Sequence, residues 1–209
     1  MCPGVGPSRR VAAVRAGFAG DEPAARSSLV AEDPRERTLA LSALVRMGRA
    51  TAADLAAALD DTDPTVRRRA LQLLPRAALD RDDRPDLLPH LPDADDRVTE
   101  MAAFAAGELV DVGDDVVAAL AAVATGHEDA LCRESAVAAL GAVGDPAGLA
   151  AVLEATTDRA NVRRRATLAL AAFDGDEVEA ALARLATDRD LQVRQAAEDL
   201  LAVTEGTEL

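Results

Sequence analysis

Hydrophobic positions recur along this chain at two nested intervals. Within one stretch they fall at 0, +4 and +8, the spacing of one helix face. That stretch then returns every 30–34 residues. Aligned on Val162, the equivalent residues are Glu36, Val66, Val98, Cys132 and Val193. Four places on, alanine stands in every copy: Ala40, Ala70, Ala102, Ala136, Ala166 and Ala197. Eight places on stand Leu44, Leu74, Ala106, Leu140, Leu170 and Leu201. An alanine column at the centre of a buried stripe predicts helices that approach closely, with no room for a larger side chain.

The clearest copy runs from Asp158 to Asp188. It opens with Asn161-Val-Arg-Arg-Arg-Ala-Thr-Leu-Ala-Leu170, turns at Asp174-Gly175-Asp176, and continues with a second periodic run from Val178 to Leu185. The pattern predicts helix, tight turn, helix. Second helices follow 0, +3, +4, +7 spacing, as in Ala52, Leu55, Ala56, Leu59 and in Val116, Ala119, Leu120, Val123. Glycine after one helix and Asp or Pro before the next supply stop and start signals at Gly48, Gly113-Asp114, Gly144-Asp145-Pro146 and Gly175-Asp176.

Two polar columns accompany the stripe. Arg37, Arg67, Arg133, Arg163 and Arg194 stand one place after the reference, with Thr99 the exception. Asp33, Asp63, Asp95, Asp129 and Asp190 stand three places before it, with Arg159 the exception. Aspartate there is placed to cap a helix N-terminus, worth about 1 kcal/mol each. Stacking would also bring the Asp and Arg columns together as a ladder, which makes the arginines structural.

These periods predict one all-α repeat domain over residues 8–203. It comprises a degenerate capping pair at 8–32, repeats at 33–61, 62–94, 95–126, 127–158 and 159–188, and a terminal half-repeat at 189–203. Residues 1–7 and 204–209 are expected to be flexible tails. One repeat is irregular. Between Leu79 and Asp96 the helix link lengthens, and Pro89 and Pro92 limit its second helix to about two turns.

Composition agrees with close-packed helices. Alanine dominates, Lys, Ile, Tyr and Trp are absent, and the only aromatics are Phe18, Phe104 and Phe173. All 23 basic residues are arginine, against 37 acidic ones, for a net charge of -14. That excess repels nucleic acid and anionic membranes, favours a monomer, and suggests adaptation to a high-salt cytoplasm. Cys2 and Cys132 form no metal or redox motif, consistent with a reducing, cytoplasmic setting. Ser8-Arg9-Arg10 resembles a twin-arginine export signal, but Arg15 interrupts its apolar stretch after four residues. No apolar run approaches the roughly 20 residues of a membrane span.

The segments Cys132-Arg-Glu-Ser-Ala-Val-Ala-Ala-Leu-Gly-Ala-Val-Gly-Asp145 and Asp63-Pro-Thr-Val-Arg-Arg-Arg-Ala70 resemble HEAT repeats, in the short form named after phycobilin lyases. The resemblance spans about Asp33 to Val203. It implies a right-handed α-α superhelix, a HEAT-like solenoid of about six helix pairs plus a final half-repeat, whose second helices line the concave face. HEAT-like deoxyhypusine hydroxylases hold two irons with several His-Glu pairs, whereas this chain has only His127-Glu128. HEAT-like DNA glycosylases use a basic concave face and aromatic stacking, and this composition supplies neither.

No catalytic residue, metal ligand or cofactor is assigned. His90 with Asp93, Asp95 and Asp96 offers at most a weak cation site. The residues expected to meet a partner are Asp54, Asp115, Glu154, Glu177, Glu179 and Arg184 on second helices, with His90 and Asp93 in the irregular repeat. The favoured reading is a non-enzymatic protein-interaction scaffold whose partner presents a helical or Arg-bearing segment. The alternative is an accessory or lyase-like factor for a cofactor-bearing enzyme or chromoprotein.

Overall fold

A computed structural model describes residues 20–207, with side chains as far as residue 203. The expected tail at 1–7 and the first helix of the capping pair, near Arg9–Phe18, lie outside the described residues. Among the described residues every regular element is helical. The chain divides between Asp86 and Leu87 into two compact units, and the division falls inside the irregular segment.

The first unit contains α1 (Glu22–Ser28), α2 (Pro34–Arg46), α3 (Ala52–Leu59) and α4 (Pro64–Leu73), followed by short 3-10 turns at Leu74–Arg76 and Arg81–Asp83. The second begins with a 3-10 turn at Leu88–His90. It continues through α5 (Asp96–Leu109), α6 (Asp114–Gly126), α7 (Ala130–Val143), α8 (Leu149–Ala155), α9 (Ala160–Ala169), α10 (Asp176–Leu185) and α11 (Leu191–Thr207). The last helix extends to Thr207, past residue 203, where the repeat pattern stops.

Helices form two layers within each unit. First helices pack on first helices: α2 on α4 in one unit, and α5 on α7, α7 on α9 and α9 on α11 in the other. Second helices pack on the first helix of the next copy, as α6 does on α7 and α10 on α11, and along their own layer, as α6 does on α8. The stripe read from the sequence lies between the layers. All six reference residues are buried, and all six alanines four places on are fully buried. Even Glu36 is buried, its carboxylate 3.5 Å from the Ser28 hydroxyl, which donates to it.

Close helix–helix approaches fall at glycines nine places after the reference. A Cβ added to Gly107 would lie 3.0 Å from Ala139 Cα, and one added to Gly141 would lie 2.6 Å from Ala169 Cβ. Glycine is required there because the α5–α7 and α7–α9 contacts bring helix backbones together. The turns meet a different demand. Gly48 and Gly144 adopt φ of +65° and +67°, the left-handed region that ends a helix. Val110 occupies the corresponding place after α5 at φ 52°, where a β-branched residue is strained.

The two polar columns separate into different jobs. Asp33, Asp63, Asp95, Asp129 and Asp190 each accept a backbone N–H two residues on, as the capping reading requires. The ladder carboxylates are other aspartates, earlier in the same loops, and this corrects the pairing expected from the sequence. Arg37 grips Asp61 with two bonds of 2.7 Å. Arg133 grips Asp158 at 2.6 and 2.9 Å, and Arg163 grips Asp188 at 3.0 and 2.8 Å. Each of these arginines also donates to a carbonyl of the loop before its own helix. A guanidinium fork can bridge two successive loops in this way, which an ammonium cannot.

The exception in the ladder is a matched pair. Thr99 replaces the arginine, and His127 stands at the loop position that Asp61 and Asp188 fill elsewhere. Thr99 donates to the Asp93 carbonyl at 3.3 Å, and His127 Nδ1 accepts the Asp129 N–H at 3.1 Å. Threonine and histidine have thus replaced arginine and aspartate, and both still bond the backbone of their loops.

Candidate functional site

The irregular segment changes the second-helix face of the second unit. Pro89 and Pro92 have no N–H to donate, so the chain makes a single 3-10 turn at Leu88–His90 where other copies place a helix. One turn covers less of its neighbour than a full helix would. The uncovered flank of α6 faces an open groove of 610 Å³. Leu88, Pro89, Leu91 and Pro92 form one side, and Ala119, Ala122, Val123, Gly126 and His127 the other. Leu91 is fully buried and anchors the turn, while Pro89, Pro92 and Ala122 are exposed. Asp115 lies one helical turn before Ala119, exposed on the same helix.

The expected partner-binding residues fall into two groups. Asp115, Glu154, Glu177, Glu179 and Arg184 are exposed on α6, α8 and α10. Arg184 is also tied to the fold, donating to Thr156 Oγ1 at 2.6 Å. The other three sit inside local networks. His90 is buried with Nδ1 4.0 Å from Asp93 Oδ2, and Asp93 accepts the Asp95 N–H at 2.9 Å. These two residues therefore support the wall of the groove from within. Asp54, in the first unit, forms a capping box with Thr51 and an ion pair with Arg26 at 2.9 Å. Burial acts to raise its pKa, but the hydrogen bonds from Thr51 and Arg26 outweigh it and hold the carboxyl below its ordinary value.

The aspartates considered for cation binding are dispersed among structural tasks. Asp95 caps α5, Asp93 braces the loop, and Asp96 lies 3.8 Å from His127 Nε2. Among the described residues, no three His, Cys, Asp or Glu side chains group as metal ligands. Cys132 donates its Sγ–H to the Asp96 carbonyl at 3.1 Å. Burial, followed by the nearby Asp129, Asp96 and Glu100 carboxylates, pushes its pKa up to about 12. Such a thiol supplies almost no thiolate near neutrality.

Leu88, Pro89, Leu91 and Pro92 are the groove residues that sequence reasoning missed. Their prolines read as limits on a helix, and that limit is what opens the groove. The usable signal was four apolar residues in a five-residue span around His90, in a segment too broken to bury them all in a helix. In the sequence His127 reads only as half of a His-Glu pair. Its loop position, shared with Asp61 and Asp188, was the available clue.

Residues 84–171 match the family model for HEAT repeats. No curated protein matches the chain. Among solved structures, an engineered protein is 20% identical over 87% of this chain and 97% of its own, with a TM-score of 0.63. A designed armadillo repeat protein is 17% identical over 86% of this chain and 98% of its own, with a TM-score of 0.60. Human deoxyhypusine hydroxylase in complex with glycerol is 21% identical over 95% of this chain and 79% of its own, with a TM-score of 0.50. At these identities the likeness is one of fold. With its layered helix pairs, alanine column and capping aspartates, the stretch from 84 to 171 is similar to HEAT repeats, in a chain that folds as an all-helical repeat protein.

Proposed function

We propose that the protein is a non-enzymatic interaction scaffold, and that its second-helix face receives an apolar, Arg-bearing helical segment of a partner protein. The observation that carries this reading is the 610 Å³ apolar groove at the shortened repeat. The single turn at Leu88–His90 leaves this flank of α6 open where other copies place a helix. An apolar groove takes up the apolar face of a helix. The exposed carboxylates of Asp115, Glu154, Glu177 and Glu179 favour positive charge on the segment that enters. His90 and Asp93 contribute by holding the wall in place.

Capture of the partner from the source cells, in their own salt, tests the reading. Wild-type protein, an Ala122→Glu variant and a Glu154→Arg/Glu179→Arg variant are compared by quantitative mass spectrometry. Ala122 is exposed on a helix, where glutamate is tolerated. The expected result is one protein enriched by the wild type and lost from the Ala122→Glu capture, with partial loss for the charge-reversed variant. Equal enrichment by all three would remove the second-helix face from the interaction.

A further inference from the structure

The opposite layer of the second unit carries a surface that neither the repeat nor the proposed scaffold role requires. The outward faces of α5 and α7 enclose a depression of 380 Å³, and those of α7 and α9 one of 330 Å³. Ala138, Ala142 and Arg165 line both, so the two are continuous. The floor is backbone and alanine because Gly107 and Gly141 bring the three helices together.

Large apolar side chains stand along it. Phe104 is 43% exposed, Leu131 55% and Leu168 44%. Phe104 is one of only three aromatics in the chain, and it is spent on the surface. Carboxylates accompany them: Glu100, Glu108 and Glu134 line the first depression.

The repeat provides its own control. At the places of Glu100, Phe104, Glu108 and Leu131, the copy containing α4 has Arg68, Gln72, Arg76 and Thr65. The fold therefore accepts basic and polar residues at these positions and does not demand an apolar, acidic set.

The cation within the groove is weakly committed. The ladder arginines engage their aspartates through Nε and Nη2, whereas Arg165 Nε is buried with no hydrogen-bond partner. Its Nη2 lies 3.5 Å from Glu134 Oε1. Glu134 Oε2 accepts from Asn161 Nδ2 at 2.8 Å, which leaves Oε1, held only by the 3.5 Å contact with Arg165, to meet a cation brought from outside.

We propose that the α5–α7–α9 face is a second docking surface, whose occupant is an amphipathic helix of another protein with large apolar residues on one side and flanking arginine or lysine. Its apolar face covers Phe104, Leu131 and Leu168, and its cations meet Glu100, Glu108 and Glu134. This surface and the second-helix groove lie on different layers, so each stands or falls separately.

The test uses the full-length protein and a fluorescein-labelled synthetic helix of leucine and arginine, with a leucine–glutamate counterpart as control, read by fluorescence anisotropy. The Leu/Arg helix binds, and the Leu/Glu helix does not. Leu131→Ser and Glu108→Arg each weaken binding by about tenfold or more, as loss of a central contact does. Asp82→Arg, an equal charge reversal at an exposed residue on neither surface, leaves the affinity within about twofold. Glu108 is exposed, so its reversal decides the matter even if Leu131→Ser lowers stability. No binding, equal binding of the two helices, or an equal loss in Asp82→Arg would overturn the proposal.

Discussion

Arg163 illustrates what one residue does in this fold. Its side chain is almost wholly enclosed, holds both oxygens of Asp188 and donates to the Asp158 carbonyl. Hydrogen bonds to charged groups contribute about 1.5–3 kcal/mol each when one partner is deleted. Arg163→Met is therefore expected to lower unfolding free energy by about 2–3 kcal/mol, and Arg163→Lys to recover less than half, since lysine lacks the fork. Arg133 and Arg163 hold Asp158 and Asp188 below the ordinary carboxylate range. A depressed carboxyl contributes stability that is complete above its unfolded value, about pH 4, and is lost as pH falls through the lower folded value. Urea titrations across pH should thus show the gap between wild type and Arg163→Met constant near neutrality and closing in acid. A gap that widened in acid would contradict the ladder.

Val110 carries the opposite sign. It holds φ 52° where Gly48 and Gly144 stand in other copies, and a left-handed conformation costs an L-residue roughly 1–2 kcal/mol. Val110→Gly should raise stability by about 1 kcal/mol, seen as a higher melting temperature. The strain was hidden in the sequence because Gly113, three residues on, already supplied a turn signal. The arginine column was plain from its spacing. Its partners were not, because two aspartates close together, as in Asp61/Asp63 and Asp188/Asp190, fit a cap and a ladder equally well until the backbone assigns them.

At the scale of the helix, alanine periodicity made the first helices readable, and every alanine of the column is fully buried. The tightest contacts measured at glycine lie elsewhere, at Gly107 and Gly141 on the flank that meets the next first helix. A Cβ at Gly141 would sit 2.8 Å from Ala169 Cα, and backbone cannot yield as a side-chain tip can. Gly141→Ala should cost about 1–3 kcal/mol despite alanine's better helix propensity, measured by chemical denaturation. A neutral or stabilising result would mean that α7 and α9 are not so closely packed. The shortened second helix was legible only in part. Its prolines foretold interruption, but the groove depends on what α6 leaves uncovered, and a contact between elements has no signature in either one alone.

At the scale of the whole molecule, the sequence pattern speaks for the scaffold and little for its use, because a repeat preserves the residues that stacking needs. Information about function lies where copies differ: the proline-broken turn at Leu88–His90, and the acidic, apolar outward faces of α5 and α7. The net charge of -14 also belongs to this scale. Exposed carboxylates repel one another, and salt screens that repulsion with a Debye length of about 3 Å at 1 M. The melting temperature should rise in molar potassium chloride relative to dilute buffer. Equal values would separate the acidic surface from any high-salt adaptation.

The central claim is that the groove beside α6 is where a partner helix enters. The most direct measurement is the dissociation constant of the captured partner, determined by calorimetry for wild type and Ala122→Glu in the same salt. A charged side chain placed in the apolar floor should weaken binding by about tenfold or more while leaving the melting temperature within a few degrees. An unchanged dissociation constant would contradict the account, because the partner would then bind without using the groove.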